Sequence, residues 1–306
     1  MQSMQITKEE NSPFIQFLLL AIFSVLGVLF FLALSFVLCY FIYGAEIIKD
    51  TSWISGDSTK YIGAFKIMLT FQQIGFFLVP AVLLSLTEKI KLSNFYNLKT
   101  PQANGLFLVS LIMVVAMPIM GLVNEWNQQM SLPSFLKELE LWMKTLEDQG
   151  AKTTEAILKM TSWPTFFINI FVISFVPAIC EEFMFRGAIQ RTFLRVFKNP
   201  HVSIWLAAFI FSCIHFQFFG FFPRLILGAA FGYIYYWTRS IWYSVWAHFL
   251  NNGFAVSVAW YLQKNNLPLS KADETNFAWY GYLISAILTL ALFKFFKDQN
   301  SNQNES

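Results

Sequence analysis

The feature that most constrains this chain is a series of long apolar runs, beginning with Phe14 to Tyr43. A helix needs roughly 20 mostly apolar residues to cross the hydrocarbon core of a bilayer. By that measure the sequence predicts about eight spans, near residues 14–43, 62–86, 105–123, 165–185, 202–219, 223–238, 240–262 and 277–296. The runs are continuously apolar rather than alternating, which excludes a closed barrel. Charged residues make up 13% of the chain, against about 25% in soluble domains. The expected fold is all-α: a polytopic membrane protein in contact with the lipid bilayer. The first run far exceeds the roughly 7–15 apolar residues of a signal peptide, so it is read as the first span. A net charge of +3 is too small to suggest a nucleic-acid partner.

One connection has its own pattern. Between Glu125 and Trp163, residues Phe135, Leu136, Leu139, Trp142, Met143 and Leu146 recur at helical spacing, while Lys137, Glu138, Glu140, Lys144 and Glu147 take the other face. This predicts one amphipathic helix on the membrane surface, stopping at Gly150. Lys89, Lys91 and Lys99 follow span two, Arg191, Arg195 and Lys198 follow span four, and Lys294 and Lys297 end span eight. The positive-inside rule then places both termini in the cytoplasm. The ends of the chain, 1–12 and 299–306, are polar and expected to be disordered. Lys66 is expected to snorkel, and Gln72 and Gln73 to act as contacts between helices. Pro80 and Pro118 are expected to kink their helices, and Gly228 and Gly232 to mark close packing. The three cysteines, Cys39, Cys180 and Cys213, form no metal-binding pattern and read as small buried hydrophobes.

Against this apolar background the ionisable residues stand out, because charge in hydrocarbon is costly and tends to mark function. Glu181 and Glu182 are followed by Arg186. On a helix Glu182 and Arg186 are four apart, acid before base, and share a face as an ion pair. Glu181 is rotated by about 100° and stays free for another partner. His215 falls in a later span, and His248 and Asn252, again four apart, share a face in the next. A glutamate in an apolar site suits the role of general base on water. Histidine can share that water or bind a metal, and a His or Asn donor can stabilise an oxyanion. The sequence has no GxSxG or HExxH pattern. The set fits water-activated peptide hydrolysis better than a covalent serine or cysteine route.

These motifs, in this order, resemble the CPBP family of CAAX proteases and bacteriocin-processing enzymes, also called the Abi family. The resemblance covers about residues 160–260 and implies an intramembrane endopeptidase. It divides the chain into N-terminal helices over 1–160, a catalytic core over 161–262, and a last helix with a polar tail over 263–306. It further implies Glu181 as the base, His215 as its partner on water, and His248 with Asn252 at the scissile carbonyl. Glu182 and Arg186 would shape the site. A divalent metal, zinc, stays open as cofactor, with Glu181, His215 and His248 as candidate ligands. The substrate implied is a membrane-embedded, hydrophobic or prenylated peptide; separately, the Asn- and Lys-rich loops fit a bacterial chain, so the expected location is a bacterial cytoplasmic membrane. The alternatives are a non-catalytic immunity or scaffold protein on the same fold and a proton-coupled transporter, for which no internal repeat is visible.

Overall fold

A computed structural model describes residues 10–56, 60–273 and 277–302. We number the long helices in chain order: α1 Pro13–Tyr43, α2 Ile62–Thr87, α3 Ala103–Gln128, α4 Lys137–Leu158, α5 Trp163–Phe197, α6 Pro200–Cys213, α7 Phe221–Thr238, α8 Ile241–Lys264 and α9 Trp279–Asn302. Among the described residues there is no strand. Helices occupy all eight predicted spans. By length and hydropathy six among the described residues qualify to cross a membrane: α1, α2, α3, α5, α7 with the turn before it, and α9. Helix α6 has only 14 residues, about 21 Å at 1.5 Å per residue, short of the roughly 30 Å hydrocarbon core. Helix α8 is long enough but carries His248, Asn251, Asn252 and Gln263 and falls outside the six.

Prolines shape the long helices. A proline lacks an N–H and clashes with the carbonyl four residues earlier, so the turn before it must give way. In α2 a π-helical turn, Ile74–Leu78, comes just before Pro80, and in α5 another, Ile170–Phe175, comes just before Pro177. Helix α3 meets the problem differently. At Pro118 the Ser285 hydroxyl of α9 donates to Val115 O at 2.6 Å and accepts from Ile119 N at 3.2 Å. A side chain from a neighbouring helix thus bridges the broken ladder.

Helix α7 packs on α6 through Gly228 and Gly232. A β-carbon on Gly232 would come within 2.8 Å of Ile204, so the close-packing reading of this pair holds. Both glycine carbonyls also accept side-chain hydrogen bonds from α5, Gly228 from Arg186 and Gly232 from Gln190. Asn127 of α3 closes the other end of α7, accepting from Phe222 N at 2.9 Å and donating to Phe218 O at 3.2 Å.

Several expectations are corrected. The fifth span was expected through residue 219, but α6 ends at Cys213 and a non-helical bend follows, with Phe216 in the left-handed region at φ 51°. Helix α5 continues to Phe197, which places Glu181 near the middle of the helix rather than near one end. Helix α4 forms where amphipathicity predicts, yet it runs through Gly150 to Leu158. Gly150 faces Gln217, whose Nε2 would lie 3.1 Å from an added β-carbon. The glycine therefore marks a close approach, not a stop. Lys66 does not snorkel: it is buried and donates to Asn169 Oδ1 at 2.6 Å, and Asn169 donates to Ile157 O of α4. Residues 1–9 and 303–306 of the two polar tails lie outside the described residues. Glu10 and Asn11 are ordered against Arg191 and Glu88, and 299–302 complete α9.

Candidate functional site

Helices α5 and α8 bring the motif carboxylates and His248 together. Glu182 Oε1 accepts from Arg186 Nη1 at 2.8 Å and pairs with His248 Nδ1 at 2.9 Å. Glu182 is fully buried and Arg186 is 1% exposed. A charge this deep is stable only when paired and hydrogen-bonded. Arg186 meets that condition with the Gly228 carbonyl at 3.0 Å and by lying over the rings of Phe211 and Phe231. The carboxylate paired with Arg186 can only accept, so His248 donates from Nδ1. That fixes the ring and turns Nε2 toward the other carboxylate.

Glu181 stands apart from this pair. Its Oε2 faces His248 Nε2 at 3.8 Å, beyond hydrogen-bond length. Its Oε1 accepts from Gln73 Nε2 of α2 at 3.2 Å. Glu181, His248 and Gln73 border a cavity of ≈ 1020 Å³ between α2, α5, α7 and α8. His215 borders the same cavity from the bend after α6, where backbone need not be helical because it lines open space. Its Nδ1 donates to Phe211 O at 2.7 Å, which leaves Nε2 as the ring nitrogen able to accept.

Asn252 is placed by a proline. Pro177 cannot donate to the Ile173 carbonyl four residues before it, and that carbonyl accepts from Asn252 Nδ2 at 3.1 Å. Asn251 donates in turn to Asn252 Oδ1 at 3.2 Å, and both amides border the cavity. The structure thus gathers Glu181, His215, His248 and Asn252 around one space, with Glu182 and Arg186 packed behind His248.

Sequence reasoning missed part of the lining. Gln73 contacts Glu181 directly, and Gln72 also borders the cavity. Arg224 lines it too, held by Gln217 through bonds of 2.7 and 3.3 Å. An arginine in the first turn of an apolar span was a visible signal, since charge there is costly. Asn124 of α3 and Thr154 and Ile157 of α4 complete the wall. Cys180 and Cys213 are not among the lining residues.

As to metal, no three His, Cys, Asp or Glu side chains among the described residues converge closely enough to hold an ion. The candidate ligands Glu181, His215 and His248 do not form such a group.

Fold and site together define a helical membrane protein with a buried carboxylate–histidine centre opening on a cavity. Residues 163–254 match the family described as type II CAAX prenyl endopeptidase Rce1-like. The match runs from the start of α5 into α8 and contains all six motif residues. Over 86 residues the chain is 28% identical to a Bacillus subtilis (strain 168) relative named Uncharacterized protein YpbD, covering 27% of this chain and 41% of the relative. The chain thus spans less than half of that relative's length. No solved structure matches the chain.

Proposed function

We propose that this protein is an intramembrane endopeptidase that cleaves a membrane-associated protein or peptide with water activated by Glu181. The observation that carries the reading is the contrast between the two glutamates. Glu182 is neutralised by Arg186 at 2.8 Å, whereas Glu181 faces the cavity with His248 Nε2 3.8 Å away. A carboxylate so placed can take a proton from a water lying between it and an imidazole. The hydroxide formed attacks the peptide carbonyl carbon, and the carbonyl oxygen becomes an oxyanion. Asn252 donates only one amide hydrogen to Ile173 O, so its second is free for that oxygen. The C–N bond then breaks as Glu181 returns its proton to the leaving amine. His215, with Nε2 able to accept, orients the water. On this reading no metal is required.

The cavity, at ≈ 1020 Å³, is large for a ligand site and is lined by both apolar and amide side chains. A hydrophobic peptide fits that lining, and the family description makes prenylated peptides natural first probes. Glu10 pairs with Arg191 and Arg195, and Asn11 bonds Glu88. These contacts support grouping the N-terminus with the basic ends of α2 and α5, which the positive-inside rule assigns to the cytoplasm.

The test is cleavage by purified protein in liposomes. Wild type and Glu181→Gln are offered hydrophobic, bacteriocin-leader and prenylated peptides, with products read by mass spectrometry, with and without chelator. Cleavage by wild type alone, unaffected by chelator, is the expected result. A Glu181→Gln protein that cleaves like wild type would overturn the reading, and chelator-sensitive cleavage would overturn its metal-free part. Biological activity that survives loss of Glu181 would favour a non-catalytic immunity or scaffold role.

A further inference from the structure

We infer that Gln73 is a positioning residue of this site, holding Glu181 through one carboxylate oxygen and presenting the other to His248. The inference rests on the peptidase reading for its meaning but on separate geometry for its content. Gln73 belongs to α2, outside the stretch that carries the six motif residues. It is the last residue before the π-helical turn Ile74–Leu78. Such turns insert an extra residue into the helix and recur at functional sites. Here the turn is explained by Pro80, and it sets the register that lets both Gln72 and Gln73 border the cavity.

The orientation of the Gln73 amide follows from chemistry. An ionised carboxylate only accepts, so the amide must present its NH₂ to Glu181; the flipped amide would set acceptor against acceptor. That bond, Nε2 to Oε1 at 3.2 Å, occupies one oxygen of Glu181. The other, Oε2, is left facing His248 Nε2. Arg186 is committed to Glu182, which leaves Gln73 as the direct donor that Glu181 has among the described side chains. The remaining Gln73 atom, Oε1, is buried with no hydrogen-bond partner. A buried acceptor left unpaired is costly, and such atoms mark places that a further group completes. Peptide N–H groups of a bound chain are donors of the right kind.

Gln73→Met keeps the length of the side chain and removes the donor, whereas Gln73→Lys keeps a donor and adds positive charge. A hydrogen bond to a carboxylate favours its charged form. The acid limb of the cleavage pH profile is therefore expected to move up in Gln73→Met and down in Gln73→Lys. A merely structural role would lower activity in both without moving the limb in opposite directions. The same variants are titrated by infrared spectroscopy in liposomes, following the carboxylic C=O stretch that Glu181→Gln removes. That readout needs no turnover. If wild type cleaves nothing but the stretch moves as expected, the peptidase reading fails and the role of Gln73 stands. If both variants fold and neither limb nor stretch moves, the inference is overturned.

Discussion

Helices α5 and α2 meet at Glu181, and they are built on different principles. In α5 the site residues form a local pattern, with Glu182 and Arg186 one helical turn apart and Glu181 next in sequence. In α2 a single uncharged side chain, Gln73, reaches the same carboxylate from a helix 108 residues away in sequence. On the α5 side Glu182 and Arg186 form a buried ion pair that fixes the shape of the site through Glu182 Oε1, while Glu182 Oε2 has no hydrogen-bond partner. On the cavity side, Glu181 Oε2 and Gln73 Oε1 lack hydrogen bonds. A buried ion pair supplies rigidity, while unpaired polar atoms next to open space are poised for an incoming group.

Two substitutions separate these roles. Glu181→Gln is expected to lower cleavage by about 10²–10⁴-fold, the usual contribution of a general base, while the melting temperature in detergent stays close to wild type. A large loss of stability would show that Glu181 belongs to the scaffold and would erase the contrast. Glu182→Gln is expected to do the reverse, costing about 3–5 kcal/mol because Arg186 is left as a buried charge without its counter-ion. Loss of His248 orientation follows, so cleavage falls as well. A Glu182→Gln protein with wild-type thermal unfolding would overturn the scaffold assignment.

The same contrast explains what could be read from the sequence. Glu182–Arg186 and His248–Asn252 were legible because helix geometry alone places residues four apart on one face. The apolar runs located the bilayer-length helices because the bilayer sets their length, whereas α4 was located by its amphipathic spacing. Gln73 was read only as a contact between helices, which it is, because a glutamine in a span carries no charge to mark a site and its partner is specified only by packing. The end of α6 was missed for a similar reason: Ile214, Phe216, Phe218 and Phe219 keep the run apolar while the backbone turns away. Gly150 misled because a glycine beside a close contact looks the same in sequence as one that ends a helix. Lys66 misled because snorkelling is the default for a lysine near a span end, and the Asn169 that holds it inside lies 103 residues on.

Helices outside the matched stretch also hold the bundle without touching the reaction, and Ser285 shows this most directly. Ser285→Ala leaves Ile119 N and Val115 O at the Pro118 break without their bridge. The expected cost is about 1–3 kcal/mol, read by thermal unfolding, with cleavage of a soluble test peptide at 25 °C unchanged. Altered cleavage at unchanged stability would place α9 in the working part of the molecule and blur the division drawn between the two regions.

The smallest expected effect lies where the N-terminal segment is clamped to the end of α5. Burial alone would raise the Glu10 carboxyl, but the hydrogen bonds and charge of Arg191, with Arg195 beside it, outweigh burial and hold it below the usual range. A carboxyl whose folded value is depressed adds stability above its unfolded value, and loses it as pH falls through the folded value. Glu10→Gln is therefore expected to cost about 1 kcal/mol or less at pH 7, as paired charges near an aqueous boundary do. The gap between the two proteins should narrow as the pH drops below about 4, where unfolded carboxyls become protonated. Thermal unfolding of both across that range checks the sign. A gap that widened in acid would mean that Arg191 and Arg195 are held by something other than Glu10. Cleavage should be unchanged at pH 7, because Glu10 meets the end of α5 far from the cavity-lining residues, and a change would show that this clamp transmits its state to Glu181 along α5.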